Sequence, residues 1–123
     1  MAKTVHDDVL DGALAIIRGN CNLMVACSAQ PTTRAEAVTT YALADVAMTP
    51  TTDFTISDGD VSGRKVRTAA KSGVTVDANG TATYIALVDG TRLLAVTTCT
   101  SQVLTAGNTV DFPAFDFEIA DPT

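Results

Sequence analysis

A mainly β fold with an N-terminal helix, its strands forming an antiparallel β-sandwich or barrel, is predicted by three features of the sequence. Strand-like runs dominate from residue 54 onward and are separated by short turns. Asn79-Gly80 and Asp89-Gly90 each lie between β-branched or apolar residues, the setting in which such dipeptides close two-residue type I′ hairpins. Thr109 to Ala120 alternates, with Phe115, Phe117 and Ile119 on one side and Asp116 and Glu118 on the other. The 123 residues suit one domain, with a helix over 4–18 and a β-rich body over 22–120.

Taken in order, Thr4 to Arg18 reads as the helix. Thr4 is placed to cap it, with Asp7 three residues on, and Asp7, Asp8 and Arg18 complement the macrodipole. Val5, Val9, Ala13, Ile16 and Ile17 recur at helical spacing, and Gly19-Asn20 is a stop signal. Such a stripe suits packing on a sheet face; the sharper alternative is an arm docked on a partner subunit. Asn22 to Ala29 reads as a buried strand. Thr33 and Glu36 form a T-x-x-E capping box opening a short helix to Tyr41. Ala42 to Met48 reads as a strand or the end of that helix, and Phe54 to Ser57 as a strand. After the loop 58–63, Arg64 to Lys71 reads as a strand with a basic face, and Ser72-Gly73 as a turn.

The two hairpin signals can be tested against each other. Two-residue loops at both sites place Val74 opposite Ile85, Ile85 opposite Leu94 and Leu87 opposite Arg92. Val74, Val76, Ile85, Leu94 and Val96 then share one face of a three-stranded meander over residues 74–98. The other face carries Tyr84, Ala86, Val88, Leu93 and Ala95, too apolar for a wetted surface, so a helix, a second sheet or a sister subunit is expected over it. Thr105 to Asn108 reads as a turn. Pro113 interrupts the final strand and points to an edge or a bulge, and residues 121–123 form a polar tail.

Composition narrows the function. Apolar residues make up 46% and charged residues 18%, which describes a globular chain. A net charge of −6 argues against a nucleic-acid partner. No apolar run reaches the roughly 20 residues of a membrane helix. Ala2-Lys3-Thr4 running into His6-Asp7-Asp8 lacks a secretory pattern, so synthesis in a cytoplasm is expected. Cys21, Cys27 and Cys99 read as free, buried thiols, and no metal-ligand spacing accompanies them.

Chemistry-bearing motifs are few. Asp58-Gly59-Asp60 begins like a calcium loop but lacks the later ligands, so it reads as a solvated turn. His6, the single histidine, reads as an exposed helix-start residue. No catalytic, cofactor-binding or metal residues are assigned. Lys65 and Arg67 share a face of their strand. With Arg64 and Lys71 they make up half of the 8 Lys and Arg residues. They are positioned to pair with Asp111, Asp116 and Glu118, within one chain or across a subunit boundary. Tyr84, Leu93, Lys65, Arg67, Asp116 and Glu118 are therefore the candidate subunit-contact residues.

The run GTATYIALVDGTRLLAVTT, followed by LTAGNTVDFPAFDFEIADP, resembles the C-terminal half of small phage and prophage virion proteins, and AKTVHDDVLDGAL and CSAQPTT resemble other parts of such chains. The resemblance implies a non-enzymatic β-rich component of the particle, such as a capsid decoration or head-fibre-like accessory protein. Its implied partners are itself, as a homo-oligomer, and other virion proteins such as the major capsid protein. Two competing readings are a carbohydrate- or receptor-binding module using the 58–63 loop and the hairpin tips, and a hydrolase using carboxylates. The absence of Trp weakens the first, because sugar sites favour aromatic platforms.

Overall fold

The structure, a computed structural model, describes residues 4–122. Within the expected polar tail, Thr123 lies outside the described residues, as does the Ala2-Lys3 pair ahead of Thr4. Helix α1 (Asp7–Asn20) is followed by nine strands: β1 (Leu23–Cys27), β2 (Ala42–Ala47), β3 (Phe54–Asp58), β4 (Arg64–Thr68), β5 (Lys71–Thr75), β6 (Gly80–Val88), β7 (Leu93–Leu104), β8 (Thr109–Phe112) and β9 (Asp116–Ile119). They form three antiparallel sheets, ordered β2-β1-β6-β7, β3-β4-β9 and β5-β8. The chain is thus mainly β with one N-terminal helix. Its sheets pack in a sandwich-like manner and do not close into a barrel.

The main core draws Met24, Ala26, Ile85 and Leu87 from the four-stranded sheet, Val66 and Phe54 from the three-stranded sheet, and Val74 and Phe112 from the strand pair. Helix α1 packs against β3 and β4 and contributes Leu14, with Ile17 beside it. Leu10, Leu14 and Ile17 follow the i, i+4, i+7 spacing of one helical face. The expected stripe is therefore rotated. Val9 is 62% and Ile16 45% exposed, and Ala13 also faces solvent. The helix starts three residues later than expected. His6, not Thr4, is the N-cap, its Nδ1 accepting from the Asp8 amide at 3.0 Å.

The first hairpin reading is wrong. β5 does not pair with β6. It pairs with β8, placing Val74 opposite Val110, while Val76 forms a lone bridge to Ala44 of β2. The Asn79-Gly80 dipeptide has a different origin. Asn79 Oδ1 accepts from the Ala106 amide at 2.8 Å, tying this corner to the turn before β8. A Cβ at Gly80 would lie 2.8 Å from a Leu43 methyl, so its lack of a side chain lets β6 pass that residue. Ser72-Gly73 lies inside β5 at a bulge, and the expected 64–71 strand divides into β4 and β5.

The second hairpin forms, with a different register. Its loop spans Asp89 to Arg92, and Leu87 faces Ala95 while Ile85 faces Thr97. A shift of three residues inverts a strand face, so Val96 leaves the main core and packs on the opposite cluster. A bulge opposite Leu87 and Val88 keeps Leu94 on the main core and Leu93 on the other side. Pro113 breaks the last strand as anticipated. β8 and β9 on either side of it belong to different sheets, and Phe115 and Phe117 meet edge to face at 5.6 Å.

Two glycines with positive φ have different surroundings. At Gly63 (φ +71°) a Cβ would sit 1.8 Å from the Ile119 carbonyl oxygen, whereas at Gly73 (φ +67°) it would meet nothing within 4 Å. Gly73→Ala should cost about 1–2 kcal/mol from the backbone conformation alone. Gly63→Ala should cost clearly more, because the β4–β9 ladder must also move. Denaturant titration of the two variants checks the order.

Candidate functional site

The six candidate residues fall into two separate groups. β4 lies between β3 and β9, and its register sets Lys65 opposite Glu118 and Arg67 opposite Asp116. Val66 and Thr68 point inward and are buried, so Lys65 and Arg67 occupy the outer face. Lys65 Nζ lies 2.6 Å from Asp60 and 3.4 Å from Asp116, and Arg67 lies 3.1 Å from Asp116. Glu118 accepts a hydrogen bond from the Asp60 amide. Of the three expected acidic partners only Asp116 pairs with these cations, and it does so within the chain; Glu118 takes the Asp60 amide and Asp111 the Gly73 amide instead. The Asp60 contact, followed by Asp116, raises the Lys65 pKa against the opposing effect of desolvation.

Arg64, treated from sequence only as a neighbour of this group, is the residue with the widest reach. Its guanidinium makes a two-pronged contact with Asp11 of α1, at 2.8 and 3.3 Å, and reaches Asp58 of β3 at 2.7 Å. Asp7 lies 4.0 Å away. One side chain therefore ties the helix to two strands. Hydrogen bonding to Asp11, then to Asp58, raises its pKa further. The signal available in the sequence was the i, i+4 spacing of Asp7 and Asp11 on the helix, opposite a strand rich in cations.

Tyr84 and Leu93 lie on the second face of the four-stranded sheet. They pack, partly buried, around Val25, Cys27, Ala37, Ala86 and Val88. The cover on this face comes from the chain itself. Residues Glu36–Thr40 form a single π-helical turn, closed by a bond from the Tyr41 amide to the Glu36 carbonyl at 2.8 Å. Thr33 Oγ1 accepts from the Glu36 amide at 3.1 Å as the capping box requires, but the glutamate reaches back to Thr32. Those Thr32 contacts hold the Glu36 carboxyl below its usual range.

Asp89 organises the hairpin tip. Its carboxylate accepts from the amides of Thr91 and Arg92 at 2.8 and 2.5 Å and from the Arg92 guanidinium at 2.7 Å. Its own carbonyl accepts from Arg34 at 2.7 Å, which anchors the segment leading into the π-turn. The Thr91 amide, followed by the Arg92 contacts, lowers the Asp89 pKa to about 2. A second tie joins Lys71 to Asp53 at 3.0 Å.

A cavity of about 170 Å³ lies between the four-stranded sheet and β8, lined by residues that include Ala26, Ile85, Cys99, Leu104, Val110 and Phe112. The one acid in its lining, Asp111, accepts from the Gly73 amide at 2.9 Å. All three cysteines are free, and burial pushes the thiols of Cys21 and Cys27 up to about 11. Among the described residues no cluster of three His, Cys, Asp or Glu side chains is poised to hold a metal, and no helix is long and apolar enough to cross a membrane. No protein-family model, curated protein or solved structure matches the chain.

Two predictions follow from these surroundings. Thiol titration of the native protein at neutral pH should modify the partly exposed Cys99 first and reach Cys21 and Cys27 only on unfolding. The Asp89 pKa is lower in the folded chain than the roughly 3.9 of an unfolded aspartate, so its contribution is present above that value. This contribution is lost as pH falls toward about 2. Asp89→Asn should therefore lower stability at neutral pH and flatten the acid limb of a stability–pH curve.

Proposed function

We propose that this chain is a non-enzymatic structural protein of a bacteriophage particle. It is made in the host cytoplasm, self-assembles, and attaches to the capsid or tail, with the major capsid protein among its partners. The observation that carries this reading is the outer stripe of α1, where Val9, Ala13 and Ile16 follow i, i+4, i+7 spacing and face solvent. A helix exposing apolar side chains along the flank of its packed face is suited to a protein partner. The likeness of residues 80–122 to small virion proteins supplies the particle context. The charged outer face of β4 and β9 is suited to selecting and orienting a partner more than to tight binding. Tyr84 and Leu93 remain only partly buried at the margin of the π-turn's cover, which suits them to contact as well.

One observation favours the receptor-binding alternative. The loop 58–63 is braced by the Gly59 amide bonding the Gly63 carbonyl at 2.9 Å and by Lys65 on Asp60. Val61, in this loop, is 92% exposed. A braced loop with an apolar tip is suited to meeting a surface, and glycan-array binding lost on Asp58→Ala or Asp60→Ala would favour it.

The principal test is mass spectrometry of gradient-purified particles from a culture producing the chain. It should find the chain in the particle peak at a copy number typical of a structural component. Confinement to the free-protein fractions overturns the reading. Val9→Asp with Ile16→Asp should reduce particle association while changing stability by no more than about 0.5 kcal/mol per site.

A further inference from the structure

We propose that β7 is a self-association edge, to which a second copy of this chain adds its own β7 antiparallel across a twofold axis. The inference rests on the assembly reading above and identifies the surface that would carry it out.

Four observations lead to it. β7 is the outermost strand of its sheet and, at 12 residues, the longest in the chain. Among the described residues no backbone hydrogen bond from outside its pairing with β6 reaches Leu93–Leu104. The opposite edge of the same sheet is partly occupied, because Leu43 of β2 accepts from the amides of Asp77 and Ala78 at 2.7 and 3.1 Å and Ala44 bridges to Val76. Inside β7 the ladder shifts. Ala82 faces Gln102 and Tyr84 faces Thr98, so Cys99, Thr100 and Ser101 have only Thr83 across from them and no ladder partner in β6. That stretch carries more backbone donors and acceptors than β6 can pair, and they require water or another strand.

Charge selects the occupant. Edge strands are normally protected by charged residues, proline or a covering element. Here β3, β5, β8 and β9 carry Asp58, Lys71, Asp111, and Asp116 with Glu118, and β2 carries Asp45 and is partly covered. From Leu93 to Val110 there is no charged residue at all. Two copies that each carry a net charge of −6 repel each other over most approaches. An antiparallel β7–β7 contact brings together Thr98, Thr100, Ser101, Gln102 and Val103, all exposed and uncharged. Val103 is 76% exposed, and its apolar surface is buried in such a pairing. A twofold contact is self-complementary and uses each edge once. At the far edge β2 is covered at Leu43 and Ala44 and carries the charge of Asp45 beyond them, which disfavours growth past a pair.

The test compares the full-length chain with Thr100→Lys/Val103→Lys by sedimentation and by amide hydrogen exchange. Both substituted side chains are exposed, so far-UV circular dichroism and the unfolding midpoint should stay close to the parent's. The parent should associate in even-numbered units. The double variant, which sets like charges across the twofold, should associate at least about tenfold more weakly. A folded variant that associates as well as the parent overturns the β7 interface and leaves the assembly reading standing. A parent that stays monomeric at high concentration overturns both. If the variant fails to fold, exchange on the parent decides. Protection of Thr98–Val103 amides that rises with protein concentration supports the pairing, and protection independent of concentration overturns it.

Discussion

The fold depends on β6 being apolar on both sides. Ile85, Ala86, Leu87 and Val88 are consecutive and all buried, so each face of that strand must be covered by something else. The main core covers one side, through Val66, Phe54 and α1. The other side is closed by only five residues of π-helical turn together with Tyr41. Exposing this strand would place roughly 1.5–3 kcal/mol of hydrophobic stabilisation per large side chain at risk. The remaining elements are arranged around that requirement. β1 flanks β6 on one side, β7 on the other, and the hairpin tip at Asp89 holds the small cover in place through Arg34.

Charge is distributed to match. The cations of β4 are bound into ion pairs: Arg64 with the helix and β3, and Lys65 and Arg67 with β9 and the neighbouring loop. Exposed pairs of this kind add little individually, but Arg64 is mostly shielded and bridges three elements, so it helps fix where α1 sits. Apart from the Arg92 tie at the hairpin tip, the four-stranded sheet uses uncharged side chains, hydroxyl, amide and apolar, along its open margin. The molecule therefore has one strongly charged flank, on β4 and β9, and one uncharged flank, on β7.

The fold class, the single helix, the second hairpin and the break at Pro113 were legible because each has a local cause. Alternation, capping residues and turn dipeptides act over a few positions. What was not legible depended on distance. Asn79-Gly80 carries the same local signal as Asp89-Gly90, yet its glycine serves a close approach to Leu43 and its asparagine binds Ala106, 27 residues along the chain. Tertiary packing thus overrode the hairpin signal. The α1 stripe was misjudged for a related reason. Two apolar stripes share that helix, and only its neighbours decide which is buried. Of the six candidate contact residues, the four charged ones were correctly expected to face one another. Their partnership within the chain could not be separated from one between chains without coordinates. Arg64 reads from sequence only as a neighbour of Lys65 and Arg67, because its main partner, Asp11, lies on the helix, 53 residues earlier in the chain.

The π-turn has a consequence for comparing this chain with others. A backbone loop closed five residues back, where an ordinary helix closes four back, contains one more residue than an α-turn spanning the same gap. A chain lacking one residue between 36 and 40 could cross from β1 to β2 along the same path with ordinary helical bonding. When counterparts of this sequence are aligned, a single-position gap here should be read as conservation of architecture.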